Sequence, residues 1–185
     1  MDELPMIYAT SISMYCLFEM NKRAGMDWKL LGLLVLYCTF VTVAYLLTHE
    51  PVFHQVAYAL QMFIVLGRSV HLVRSIPQGP YRRSLAKLAT FSSLTFAGGF
   101  VMWNLDNAFC SQLQSARHSV GLPLAAVFQF HGWWHVLTSL GCYGFILLNQ
   151  AMRLYFLGRH HKFSICYYRG LLPYLHHNLD DKGFL

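Results

Sequence analysis

The sequence predicts an all-α fold, a polytopic bundle of about five membrane-spanning helices, and three observations predict it. Apolar residues make up 56% of the 185 positions and charged residues only 12%, against roughly a quarter charged in soluble domains. The charges that exist are clustered, leaving long runs free of Asp, Glu, Lys and Arg. The basic residues also fall almost entirely on one side of an alternating topology. A soluble chain of this length could not hide so much apolar surface, because small domains still expose a large share of theirs.

A spanning helix needs roughly 20 mostly apolar residues. The first predicted helix covers residues 4–19 and is rather short; the second covers 28–48, the third 52–74 and the fourth 85–107. The uncharged stretch 119–152 is too long for one span. It divides into an interfacial piece ending near Gln129 and a fifth helix over 130–157. Residues 1–157 thus form the bundle, and 158–185 a basic, aromatic tail. The loop Pro77-Gln78-Gly79-Pro80 must leave helical geometry. No basic n-region, short apolar core and small-residue cleavage site mark a signal peptide.

Five alternating spans place Lys22, Arg23, Lys29, Arg74, Arg82, Arg83, Lys87, Arg153, Arg159, Lys162, Arg169 and Lys182 on one side. The other side receives only Arg117, while Arg68 lies within the third helix. By the positive-inside rule, the tail is cytosolic and the N-terminal end lumenal. This topology, rather than nucleic-acid binding, explains the formal charge of +6. The five cysteines form no CxxC pair, so neither a zinc finger nor a disulfide framework is expected.

The unusual polar residues converge on the lumenal end. Asp2 and Glu3 precede the first helix, and Glu50 and His54 sit at the turn into the third. Asn104, Asp106 and Asn107 close the fourth, and His131 and His135 open the fifth. Polar groups at membrane depth are costly and usually face an interior or a wet cavity. His131 and His135, four residues apart, share one helix face and can bind one metal ion. They can equally serve as packing residues beside Trp133 and Trp134 in an aromatic belt. A catalytic zinc usually has three protein ligands and a water; His54 and Asp2 are candidates to complete the set, and spacing alone does not choose. Asp2 and Asp106 can also act as helix caps. His160, His161, His176 and His177 are read as tail residues rather than a metal cluster.

DELPMIY (2–8), EPVFHQVAY (50–58), WNLDNAFC (103–110) and FHGWWHVLT (130–138) resemble, in order and spacing, the motifs of alkaline ceramidases, most closely the phytoceramidase-type branch. The resemblance implies an intramembrane zinc hydrolase with seven helices, of the wider group that includes adiponectin-type receptors. It implies that His131 and His135 supply two of three zinc-binding histidines and that Asp2 acts as proton shuttle. The substrate implied is a ceramide-type lipid in the endoplasmic reticulum or Golgi membrane, cleaved to a sphingoid base and a free fatty acid. In that family the third zinc histidine and an active-site serine lie before the first motif, and a calcium-binding acidic segment lies earlier still. Ca2+ is therefore expected only for a full-length member, and the present helices correspond to the family's third to seventh. An amidase with little activity of its own is one expectation; a non-catalytic lipid-binding or regulatory relative is the alternative. A transporter or channel finds no half-helix pair or charged pore ring.

Overall fold

The computed structural model describes residues 4–21, 25–48 and 50–178. Among these, six α-helices run in the order α1 (Leu4–Phe18), α2 (Trp28–Thr48), α3 (Pro51–Ser75), α4 (Pro80–Ala108), α5 (Cys110–Val120) and α6 (Phe130–Phe156). A 3-10 turn, Leu124–Phe128, precedes α6. Two strands follow, β1 (Phe163–Tyr168) and β2 (Leu172–His177), paired antiparallel.

The helix ends follow local chemistry. Asp27 Oδ1 accepts the backbone N–H groups of Lys29 and Leu30, both at 3.1 Å, and so caps α2. α3 stops at Ser75 before the Pro77–Pro80 loop, and Pro80 opens α4, a position where its fixed φ is pre-organised and its missing donor costs nothing. α6 closes with Gly158 at φ 74°: Gly158 N–H bonds the Tyr155 carbonyl and Arg159 N–H that of Leu154, the paired pattern that satisfies orphan carbonyls at a helix end.

By length and apolar content, α2, α4 and residues Val52–Ser75 of α3 can cross a membrane. The chain is an all-α membrane bundle that includes these three apolar helices. Their outward faces carry Leu33, Leu36, Phe40, Leu47 and Phe63, all well exposed, as suits contact with lipid. The expected five spans divide differently. α1, with 15 residues, is only about 22 Å long, short of a hydrocarbon core of about 30 Å. α6 is long enough at 27 residues, but His131, His135, Asn149, Gln150 and Arg153 dilute its apolarity.

The described chain forms two units, residues 1–85 with 149–185, and residues 86–148. In the first, α1, α2 and α3 pack together with Ile7, Leu17, Leu72 and Ile76 fully buried. Polar threads bind them: the Tyr8 and Thr42 hydroxyls meet at 2.8 Å, Tyr37 donates to the Ala57 carbonyl at 2.9 Å, and Gln61 Nε2 donates to Ser11 Oγ at 2.7 Å. Arg153 Nη1 donates to the carbonyls of Glu19 (2.9 Å) and Met20 (2.6 Å), tying the last turns of α6 to the C-terminal end of α1. Within the basic, aromatic tail, residues 163–177 fold as the β1–β2 hairpin, which the sequence reading did not include.

In the second unit, small residues let α4 and α6 approach closely. A Cβ on Gly99 would sit 2.7 Å from Thr138 Oγ1, and one on Gly141 would sit 2.9 Å from Phe96 N; Gly144 faces Ser92 in the same way. The pairs Ser92–Gly144, Phe96–Gly141 and Gly99–Thr138 run antiparallel. Continued in that direction, the seam reaches Trp103 against Trp134, ring centroids 6.2 Å apart.

Candidate metal centre

One turn past the tryptophan pair, the α4–α6 seam brings Asp106 to His131: Oδ2 and Nδ1 lie 3.9 Å apart. Both histidines sit in the first turns of α6, where the i, i+4 spacing stacks them on one face. His131 Nε2 and His135 Nε2 are 3.3 Å apart. Two nitrogens bound to one tetrahedral zinc at about 2.0–2.1 Å must lie about 3.3–3.4 Å from each other. The spacing matches that requirement, and it is also the length of a hydrogen bond between the two rings. Its two rings are nearly perpendicular, at 77°.

The surroundings are asymmetric. Trp134 is buried and touches both imidazoles, with centroids 5.1 Å from His131 and 4.4 Å from His135. Trp103 backs Trp134, and Phe100 stacks on Trp103. These rings form an apolar floor on one side of the pair. The other side is open: the His131 side chain is 51% exposed, whereas that of Asp106 is 19% exposed. His131 thus turns Nδ1 to the carboxylate and Nε2 to its partner histidine. At 3.9 Å the carboxylate is beyond direct hydrogen-bond reach of Nδ1 and acts on the ring through space.

Asp2 lies outside the described residues, as does Glu3. His54 belongs to the first unit, 2% exposed on α3 with its ring 5.3 Å from Tyr45. Glu50 occupies the N-cap position of α3 but makes no capping bond through its side chain. Asn104 Nδ2 donates to the Phe100 carbonyl one turn back, at 2.8 Å, a helix-internal role. Of the tail histidines, His160 packs against Tyr81 and Tyr155, and His177 against Phe163. Among the described residues no group of three or more His, Cys, Asp or Glu is placed to hold a metal.

Sequence reasoning did not single out the polar node at the heart of the first unit. Ser11 Oγ, 3.1 Å from Cys38 Sγ and 2.7 Å from Gln61 Nε2, lines a groove of about 490 Å³ between α1 and α2. The available signal was Gln61 itself, an amide in the middle of an apolar span.

The ceramidase family model matches residues 1–176. Mouse alkaline ceramidase 3 is 42% identical over 159 residues, which is 85% of this chain and 57% of that protein. Alkaline ceramidase YPC1 of Saccharomyces cerevisiae is 28% identical, covering 99% of this chain and 65% of the yeast protein. A putative alkaline ceramidase of Dictyostelium discoideum is 27% identical over 77% of the chain. The chain spans between about half and two thirds of the length of these curated relatives.

Proposed function

The chain belongs to the ceramidase family, and from that premise we propose that it serves hydrolysis of the amide bond of ceramide-type lipids within a membrane, with His131 and His135 holding a zinc ion. The observation that carries the reading is the 3.3 Å separation of the two Nε2 atoms, the edge of a tetrahedral zinc site. A zinc ion bound there supplies Lewis-acid chemistry, polarising a carbonyl and bringing the pKa of a water toward neutrality.

The protein's own groups do the rest. Neutral imidazoles at positions 131 and 135 present Nε2 as ligands. Asp106, on the Nδ1 side of His131, places a negative charge beside the ligating pair. Trp134 and Trp103 exclude water from one side of the pair and leave the other side for the lipid amide. Asp2, in the family's motif, moves a proton from the attacking water to the amide nitrogen. The C–N bond breaks, the water oxygen stays on the acyl carbon, and a sphingoid base and a free fatty acid leave. The endoplasmic reticulum or Golgi membrane is the site of action, with the cation-rich end of the bundle in the cytosol.

Among the described residues no third ligand joins the two histidines, whereas a catalytic zinc usually has three protein ligands. That same fact favours a second reading, a lipid-binding or regulatory relative without chemistry. Zinc titration of the purified chain in detergent separates the two. One saturable zinc per chain, lost in His131→Ala and in His135→Ala, is expected, with hydrolysis of a labelled long-chain ceramide only slightly above the double-alanine control. Zinc uptake indifferent to both substitutions would defeat the proposal.

A further inference from the structure

The β1–β2 hairpin has no part in the chemistry above, and its tip is built unlike a solvated turn. Tyr168, Leu171 and Leu172 stand out at 59%, 70% and 46% exposure. Arg169 and Gly170 both take positive φ, 49° and 76°, and Leu171 N–H returns to the Tyr168 carbonyl at 3.1 Å. The register pairs Tyr168 with Leu172, so only three residues, Arg169 to Leu171, make the reversal, and the apolar side chains project from a narrow point. Arg169 lies over the Tyr168 ring at 5.7 Å.

The base of the hairpin is fixed beside the ends of apolar helices. His160 packs on Tyr81, in the first turn of α4, and on Tyr155, with centroids 5.1 and 4.7 Å away. Tyr81 donates to the Ala151 carbonyl at 2.7 Å. The hairpin therefore emerges where α3 ends and α4 begins, at the level where a spanning helix meets the headgroups. Between Asn149 and Asn178 there is no acidic residue, while Arg159, Lys162 and Arg169 are all present, and Arg74, Arg82 and Arg83 flank the adjoining loop.

We propose that this hairpin docks on the anionic leaflet of the same bilayer, with Tyr168, Leu171 and Leu172 in the interfacial layer and Arg159, Lys162 and Arg169 against acidic lipid headgroups. Charge complementarity names the occupant: a surface of this sign is attracted to an anionic leaflet, cation by cation, within a Debye length. Exposed leucines beside cations are the pattern of segments that lie in the membrane interface.

Trypsin reads the docking directly, because Arg169 at the tip is a cleavage point only when the hairpin is off the surface. The full chain is placed in nanodiscs of phosphatidylcholine alone, or with about a third phosphatidylserine, and three cations in contact should slow cleavage after Arg169 by about tenfold or more in the anionic discs. Raising the salt should abolish the difference in the unmodified chain, where folding is not at issue. Leu171→Ser with Leu172→Ser, and separately Arg159→Gln with Lys162→Gln, should each reduce the protection. Equal cleavage in the two lipids, or protection that survives both salt and both double substitutions, overturns the proposal.

Discussion

The α4–α6 seam makes a quantitative prediction from a single methyl group. Gly141→Ala places a Cβ 2.9 Å from Phe96 N and 3.0 Å from Phe96 Cα. Both are backbone atoms on α4, which cannot swing aside as a side chain would. Relief to an ordinary carbon contact of about 3.5–4.0 Å requires the helices to part by about half an ångström or more. Overpacking of this kind costs about 1–3 kcal/mol. The same substitution at Gly32, on α2, meets nothing within 4 Å. Each Gly→Ala change also brings about 0.8–1 kcal/mol of helix propensity, which cancels when the two variants are compared. Gly141→Ala should therefore be less stable than Gly32→Ala by about 1–3 kcal/mol, the overpacking cost alone, measured as unfolding in mixed detergent. Equal stabilities would refute the seam, and with it the register that sets Asp106 opposite His131.

Further outcomes follow from the same geometry. Asp106→Ala should weaken zinc binding about 10- to 100-fold, as loss of an outer-shell carboxylate does, with Asp106→Asn intermediate; competition against a chelator measures it, and unchanged affinity would remove Asp106 from the site. Arg153→Met should cost about 1.5–3 kcal/mol, because two carbonyls at the end of α1 lose a charged donor, and Arg153→Lys should recover part of it; a loss below about 0.5 kcal/mol, the level of an ordinary surface substitution, would show that the tie is not structural.

The helices were legible because apolar length is written directly into composition. The second span matches α2 to the residue at both ends, and the fifth differs from α6 by a single position. α4 starts five residues earlier than the reading from apolarity, because Pro80 initiates helix and Arg82 and Arg83 continue it outside the apolar run. The hairpin escaped notice because its histidines and cations masked a strand signal: Phe163-Ser-Ile-Cys-Tyr-Tyr, then Arg169-Gly170 as the turn. Within the site, the shared face of His131 and His135 followed from spacing alone. That Asp106 gathers at the same end followed from topology, but its approach to His131 depends on a register of two helices set by Gly99, Gly141 and Gly144. The proposed role of Asp2 rests on its motif.

X-ray absorption at the zinc edge tests the central claim most directly, because it counts the imidazoles on the metal. The zinc-loaded chain should show nitrogen neighbours at about 2.0–2.1 Å with the outer-shell scattering of two histidines, reduced to one in either His131→Ala or His135→Ala. A spectrum without imidazole scattering, or one unchanged by both substitutions, would contradict the account.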